Sequence, residues 1–181
     1  EQNGYPALDY GAFFADMQNG LPWATYIDLT ESLTISDYYK TDIHWRQERL
    51  VPAAKTLASA MGAEISDDFT EKTLDRDYYG LYYGYAALPI RPEKISYLTN
   101  EAIEQAVVTN FETGKTGSVY DTEKAAGKDP YELFLSGSVA LLTIENPSAK
   151  TDKALIVFRD SFASSLAPLL LEGYAKITLV D

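Results

Sequence analysis

The chain has 181 residues, a length typical of one domain, and its 46% apolar and 23% charged residues indicate a folded globular protein. A net charge of −12 and a pI near 4.5 argue against nucleic acid and anionic membrane surfaces as partners, because both need a basic face. Without cysteine there are no disulfides or thiolate metal sites, and with one histidine we predict no metal and no cofactor. No apolar run is long enough to span a membrane.

The first part of the chain is predicted to begin irregularly and to become helical. Glycine and proline interrupt residues 1–20, which leaves room for a short helix over residues 10–17. Moderate alternation over residues 23–29 predicts a strand. Apolar residues at helical spacing predict a helix over residues 50–61, and the charged residues 66–77 predict a surface loop.

Residues 78–88 combine five tyrosines with two glycines. One interpretation is an aromatic platform on which sugar rings stack, with Tyr79, Tyr82 and Tyr83 as the glycan-binding residues. The other is structural, a glycine-bent segment whose rings cover the edge of the core. The sequence leaves both interpretations open.

The second part of the chain is predicted to be rich in strands. The runs 106–111 and 117–120 flank a turn and predict a β-hairpin. Residues 139–144 form a continuous apolar run that predicts a buried strand. Between these runs, residues 131–135 predict a short helix or strand.

The last part of the sequence predicts a strand–helix–strand unit. Residues 154–158 are typical of a strand buried on both faces, residues 162–172 have helical spacing, and residues 177–180 form the next strand. Such a unit predicts parallel strands with a right-handed crossover. Residues 1–181 are predicted to form a single domain. No closing helix follows the last strand, so we expect this domain to be truncated at its C-terminus and the native protein to continue.

A polar triplet, Arg159, Asp160 and Ser161, lies where the predicted strand turns into the helix. A serine at that place is a candidate nucleophile, because the free N–H groups of the helix are available to stabilise an oxyanion. Asp160 and Ser161 are also preferred N-cap residues, so a cap without chemistry explains the same turn.

The one histidine, His44, is the candidate base for this serine. Asp42 lies two residues earlier, and on an extended segment both side chains face the same way. Asp42 holding the imidazole and His44 taking the proton of Ser161 would complete an acyl-transfer triad. A packed or solvated histidine without such a role is the alternative.

Two motifs resemble those of a known family. Residues 39–45, Tyr-Lys-Thr-Asp-Ile-His-Trp, resemble the signature of the DHHW protein family, and residues 158–166, Phe-Arg-Asp-Ser-Phe-Ala-Ser-Ser-Leu, resemble its second signature. The resemblance covers most of the chain from about Leu21 onwards. The family is similar to a branch of the SGNH hydrolase superfamily that is related to the alginate O-acetylation proteins of the bacterial envelope.

The resemblance implies that Ser161 is the nucleophile, His44 the general base and Asp42 its orienting carboxylate. It further implies acyl transfer, chiefly of acetyl, to or from a carbohydrate hydroxyl through an acyl-serine. An exported or envelope-anchored location and a membrane-bound O-acyltransferase partner are implied in the same way.

The other motif residues complete the predicted site. Asp160, Trp45 and Arg159 are predicted to support it. Three positions depart from the family pattern: Ile43 replaces a histidine, Arg159 stands where esterases carry glycine, and Ser138 stands where relatives often carry asparagine.

The sequence therefore predicts one three-layer α/β domain, a mostly parallel sheet flanked by helices, SGNH-hydrolase-like with an appended β-hairpin. The leading hypothesis is a serine acetyltransferase or acetylesterase that acts on a cell-envelope polysaccharide or acyl ester. The rival hypothesis is a catalytically idle domain that binds glycan or a partner protein through its tyrosine-rich face.

Overall fold

A computed structural model describes residue 4, residues 6–87 and residues 89–181, and it has a mixed α/β fold. Its strands are β1 (Thr70–Thr73), β2 (Ser96–Thr99), β3 (Val107–Asn110), β4 (Lys115–Gly117), β5 (Leu141–Glu145), β6 (Ala154–Phe158) and β7 (Lys176–Val180). Its α-helices are α1 (Tyr10–Gly20), α2 (Val51–Ala60), α3 (Leu81–Ala86), α4 (Glu101–Gln105), α5 (Thr122–Ala125) and α6 (Phe162–Leu166). Short 3₁₀ helices cover Thr30–Ser32, Ile35–Asp37, Gln47–Arg49, Pro130–Leu133 and Ala167–Gly173. The predicted segments 1–20 and 78–88 lie partly outside the described residues.

The main sheet is mostly antiparallel, so the prediction of a mostly parallel sheet was wrong. Its strand order is β4-β3-β5-β7-β6. The pair β6 and β7 is parallel, while β3 with β4, β3 with β5, and β5 with β7 are antiparallel. Parallel neighbours need a long crossover, which the helical segment between β6 and β7 supplies. The turn between β3 and β4 is too short for one.

The hairpin strands are part of this sheet and are not an appendage. β3 and β4 pair with each other, and the other edge of β3 pairs with β5, with Val108 opposite Ile144. Both of these side chains are buried in the common core. The hairpin was predicted as an addition because local alternation does not reveal which third strand accepts its free edge.

Strand β6 lies at the edge of the sheet, which corrects the prediction that it is buried on both faces. Leu155 and Val157 pack against the core, whereas Ile156 is 64% exposed and Phe158 is 82% exposed. An apolar run shows that a strand is suited to double burial. It does not show that a covering element lies on the second face.

Several other elements differ from their predictions. Residues 23–29 do not form a strand, and the predicted loop 66–77 contains β1, which pairs antiparallel with β2 in a small second sheet. The predicted helix 162–172 is α-helical only to Leu166 and then continues as a 3₁₀ helix. Pro168 explains that change, because its ring conflicts with the carbonyl four residues earlier.

The core fixes the two segments that carry the candidate site. Leu50, Ala54 and Ala58 at the start and along one face of α2 are buried against the side chains that follow Ser161. Those side chains are Leu169, Leu170 and Leu171, together with Ile177 and Leu179 of β7. No helix in the described ranges is long and apolar enough to cross a bilayer.

Candidate active site

Asp42, His44 and Ser161 meet in a hydrogen-bonded relay. Nδ1 of His44 lies 2.5 Å from Oδ1 of Asp42, and Nε2 of His44 lies 2.8 Å from Oγ of Ser161. The two contacts use both nitrogens of one ring, so the imidazole is oriented between a carboxylate and a hydroxyl. This is the arrangement in which a histidine accepts a proton from serine while a carboxylate holds its tautomer.

A tight turn brings Asp42 and His44 together, so the predicted extended segment was wrong. The backbone bends over residues 40–44, and an antiparallel β-bridge between Tyr38 and Trp45 closes the turn at its base. Within it, the N–H of His44 donates to Oδ1 of Asp42 at 3.0 Å, and the N–H of Tyr39 donates to the carbonyl of His44. Aspartate readily closes such turns by accepting from the backbone two residues on. One oxygen of Asp42 therefore orients both the backbone and the ring of His44.

The second oxygen of Asp42 is held by the start of α3. The N–H of Leu81 donates to Oδ2 at 2.8 Å. Gly80 permits this approach, because a Cβ there would collide with the Cβ of Asp42 and the carbonyl of Thr41. Burial raises the pKa of Asp42, but hydrogen bonds from the His44 ring, the Leu81 N–H and the His44 N–H outweigh burial and lower the pKa to about 2.

Aromatic rings enclose His44. The phenol ring of Tyr131 stacks on the imidazole with centroids 4.0 Å apart and planes at 15°. Phe162 contacts the ring at 5.0 Å between centroids. These contacts restrict rotation of the imidazole and leave its side chain only 12% exposed. Burial raises the pKa of Tyr131, so this ring stays neutral beside the relay.

A buried serine, Ser165, ties the two motifs together. Its Oγ accepts from Nε1 of Trp45 at 2.8 Å and from the hydroxyl of Tyr131 at 2.8 Å. Its carbonyl accepts from Nε2 of Gln47 at 2.7 Å. Trp45 also donates to the carbonyl of Phe162 at 3.1 Å. The predicted supporting residue Trp45 therefore holds the first motif against the helix that begins beside Ser161.

Ser161 lies three residues after the end of β6 and directly before α6. Its hydroxyl does not cap the helix; instead Oδ1 of Asp160 accepts from the N–H of Phe162 at 3.0 Å. The capping function proposed as the alternative thus falls to Asp160, and the hydroxyl of Ser161 faces His44. An open cleft of about 500 Å³ adjoins this turn and is lined by Trp45, Phe158, Arg159, Asp160, Phe162, Ala163 and Leu166.

The predicted glycan-binding tyrosines lie around the start of α3. Tyr79 is 49% exposed and Tyr82 is 47% exposed, while Tyr83 is half-buried with its ring 4.7 Å from that of Tyr79. These tyrosines are near the relay, because Leu81, which lies between Tyr79 and Tyr82 in the sequence, donates its N–H to Asp42. Tyr79 and Tyr82 are therefore accessible, whereas Tyr78 of the same segment is buried in the core, as the structural alternative predicted. Glycan binding by Tyr79, Tyr82 and Tyr83 stays a prediction.

Sequence reasoning missed four residues that orient the relay: Gly80, Tyr131, Gln47 and Ser165. Gly80 lies in the tyrosine-rich segment, and its glycine offered a signal for a close backbone approach. Ser165 lies one turn after Ser161, but a serine within an apolar helical pattern gives no sign of its partners. Their contacts span 34 to 120 positions along the chain, from Tyr131 and Trp45 to Ser165.

The mixed α/β fold thus presents a serine–histidine–aspartate relay at the carboxyl end of a strand. Comparison of the sequence with models of protein families and with curated proteins gives no match. Among solved structures, a DHHW family protein from Eubacterium siraeum superposes with a TM-score of 0.66 and 20% identity, over 80% of this chain and 50% of that one. Bacillus cereus PatB1 with a sulfonyl adduct gives a TM-score of 0.61 and 20% identity, over 84% and 56%. The O-acetyltransferase domain of Pseudomonas putida AlgJ overlaps more loosely, with a TM-score of 0.46 and 12% identity over 98% and 55%.

The chain shares its fold with the DHHW family protein and with PatB1. The relationship predicted from the two motifs is confirmed at the level of the fold. The chain spans about half the length of these structures.

Replacing Gly80 with alanine is expected to displace Asp42 and loosen its contact with His44, because the added Cβ has no room. Gly84→Ala is the matched control, since a Cβ at Gly84 meets nothing within 4 Å. The nuclear magnetic resonance signals of the imidazole are unique, as the sequence has one histidine. We expect them to shift strongly in Gly80→Ala and to stay unchanged in Gly84→Ala. Equal spectra for the two variants would contradict this role for Gly80.

The lowered pKa of Asp42 predicts a pH-dependent contribution to stability. Ionised Asp42 stabilises the fold above the ordinary pKa of an unfolded aspartate, and this contribution is lost as the pH falls towards about 2. Urea unfolding should show Asp42→Asn less stable than the wild type on the order of 1 kcal/mol at pH 6, after allowance for solvent screening. The difference should shrink between pH 4 and pH 2. Asp152→Asn controls for the loss of one exposed negative charge, and a pH-independent difference in Asp42→Asn would contradict the prediction.

Proposed function

We propose that this chain carries the catalytic site of a serine O-acyltransferase or esterase that moves an acetyl group to or from a carbohydrate hydroxyl. The observation that carries the proposal is the unbroken relay from Asp42 through His44 to Ser161. The aromatic enclosure of His44 and the adjoining cleft of about 500 Å³ support it, because an acyl ester needs both an oriented base and room beside the nucleophile.

The first half-reaction follows from this geometry. Oγ of Ser161 attacks the carbonyl carbon of the acetyl donor while Nε2 of His44 takes the hydroxyl proton. Asp42 keeps the proton on Nδ1 and stabilises the imidazolium that forms. The carbonyl oxygen becomes an oxyanion, which in this proposal the peptide N–H of Ser161 stabilises. Collapse expels the donor alcohol, which takes its proton from His44, and leaves acetyl-Ser161.

The second half-reaction repeats these steps with an acceptor. A carbohydrate hydroxyl, or water in the hydrolytic direction, attacks the acetyl-serine and gives its proton to His44. Ser161 is released with its own proton restored. Exclusion of water from the cleft decides between transfer and hydrolysis, and in this proposal Tyr79, Tyr82 and Tyr83 bind the sugar that supplies the hydroxyl.

The cellular setting belongs to the same proposal. A polysaccharide acceptor places the site outside the cytoplasm, in the bacterial cell envelope. The acetyl group must then be delivered across the membrane, and a membrane-bound O-acyltransferase is the partner class that supplies such a step. The resemblance to alginate O-acetylation proteins supports this setting.

A second candidate function is glycan binding without catalysis. The observation that favours it is the cluster of accessible tyrosine rings beside α3. Such rings bind sugars by stacking and need no hydrogen-bond relay. The two functions differ in whether the hydroxyl of Ser161 is activated.

An activated serine is expected to react with phenylmethylsulfonyl fluoride. Intact mass should show one sulfonyl adduct on the wild type and none on Ser161→Ala, while His44→Ala should react at least about 100-fold more slowly because it lacks the base. Ser59→Ala, which removes an exposed hydroxyl from α2, is the matched control and should react like the wild type. A folded wild type without adduct, or an adduct retained in Ser161→Ala, would contradict the enzymatic proposal.

Sugar binding at the tyrosine cluster is tested by Tyr82→Ala. Removing one stacking ring should weaken retention of the protein on immobilised glycans by about three- to tenfold. Hydroxyethyl cellulose and chitosan are suitable neutral and amino-sugar probes for affinity electrophoresis. Tyr10→Ala, which truncates an exposed ring on α1, should have no effect. Binding that is lost in Tyr82→Ala but present in a wild type that forms no sulfonyl adduct would favour the binding function over the enzyme.

A further inference from the structure

Arg159 is a fully buried cation next to the candidate nucleophile. Its side chain is 0% exposed, and Nη1 donates to Oγ of Ser164 at 2.8 Å and lies 3.5 Å from Oδ2 of Asp181. A buried charge is costly unless it is paired and hydrogen-bonded. Among the described residues Nε of Arg159 meets no acceptor, so the contacts of Nη1 and Nη2 are what offset the cost of burying the charge.

The guanidinium donates hydrogen bonds to backbone carbonyls of two segments, the turn before Ser161 and the loop before β5. Nη2 donates to the carbonyls of Gly137 and Val139, each at 3.2 Å, and Nη1 makes a longer contact of 3.4 Å to the carbonyl of Asp160. One side chain thus joins the turn that bears Ser161 to the loop that precedes β5. This loop includes Ser138.

Holding a carbonyl also aims the N–H of the same peptide. In a trans peptide the C=O and N–H point in opposite directions, and the described chain contains no cis peptide. The hydrogen bond to the carbonyl of Asp160 therefore directs the N–H of Ser161, in the same peptide, away from the guanidinium. The hydrogen bond to the carbonyl of Gly137 directs the N–H of Ser138 in the same way. Among the described residues neither N–H meets an acceptor, whereas the N–H beyond Val139, that of Ala140, donates to Glu112.

The loop before β5 has a strained backbone, which its hydrogen bonds to Arg159 help to fix. Leu135, Ser136 and Gly137 have φ of 55°, 62° and 81°, so two residues with side chains adopt the left-handed region in succession. A non-glycine residue in this region is strained and persists only where its surroundings fix it. The hydroxyl of Ser136 bonds Asp121 at 2.7 Å on the far side of the loop, and Arg159 holds the near side.

We propose that Arg159 is a positioning residue that aims the peptide N–H groups of Ser161 and Ser138 at the carbonyl oxygen of the acyl ester as it becomes an oxyanion. Its charge behind the two peptides adds positive potential where negative charge develops. Ser138 thereby supplies through its backbone a second donor beside that of Ser161. This inference rests on the proposed acyl transfer at Ser161.

Hydrolysis of 4-nitrophenyl acetate by Arg159→Lys and Arg159→Ala tests the inference. Because the donors act only on the transition state, kcat should fall by about 10- to 100-fold while KM stays within about twofold. Methylguanidinium added to Arg159→Ala should restore part of kcat. Arg76→Ala is the matched control, since Arg76 also donates to two carbonyls, those of Ala125 and Gly127, away from the relay.

The outcomes separate this inference from the proposed function. A folded Arg159→Lys with the wild-type kcat overturns it, as does an equal loss in Arg76→Ala or a loss in Arg159→Ala that methylguanidinium does not relieve. If Arg159→Ala does not fold, Arg159→Lys decides by the same comparison of kcat with KM. A wild type that neither hydrolyses the ester nor forms the sulfonyl adduct overturns the proposed function itself.

Discussion

The hydrogen bond between His44 and Ser161 joins two segments that are 117 positions apart, and the rest of the site depends on that junction. A single 2.8 Å contact does not hold two segments by itself. Ser165 holds the two segments together more firmly, because its buried hydroxyl accepts hydrogen bonds from Trp45 and Tyr131 and its carbonyl accepts one from Gln47. Its polar groups are satisfied, so the cost of burying them is offset and the geometry around the relay is fixed.

Each residue of the relay is oriented by further residues that contact it. Asp42 orients His44, while the backbone of Leu81 and the absence of a side chain at Gly80 orient Asp42. On the other side of the relay, the buried guanidinium of Arg159 joins the serine turn to a strained loop. Asp42 and His44 support each other within one turn and are also held by groups from other segments, namely Leu81 and Tyr131, as preorganised sites require.

The sequence brought together the members of the hydrogen-bonded relay better than it predicted the architecture. Asp42, His44 and Ser161 were found because an isolated histidine, a nearby carboxylate and a serine after an apolar run are recognisable by residue type. Their partners were not, since Tyr131 and Ser165 bear on the site only through long-range packing. The direction of the strands was mispredicted for the same reason: β5 pairs with β7 through a register that no local pattern encodes. The edge position of β6 likewise depends on what does or does not cover Ile156 and Phe158.

The placement of the two tryptophans has an optical consequence. Trp23 is 82% exposed, while Trp45 is half-buried, with its indole bonded to Ser165 and packed edge-on against Phe162 beside the cleft. Indole emission depends on the polarity around the ring, so the two residues emit from different surroundings. With Trp23 replaced by phenylalanine, the tryptophan fluorescence of the chain would come from a single indole at the wall of the cleft. The site thus contains its own spectroscopic reporter, which needs no attached dye.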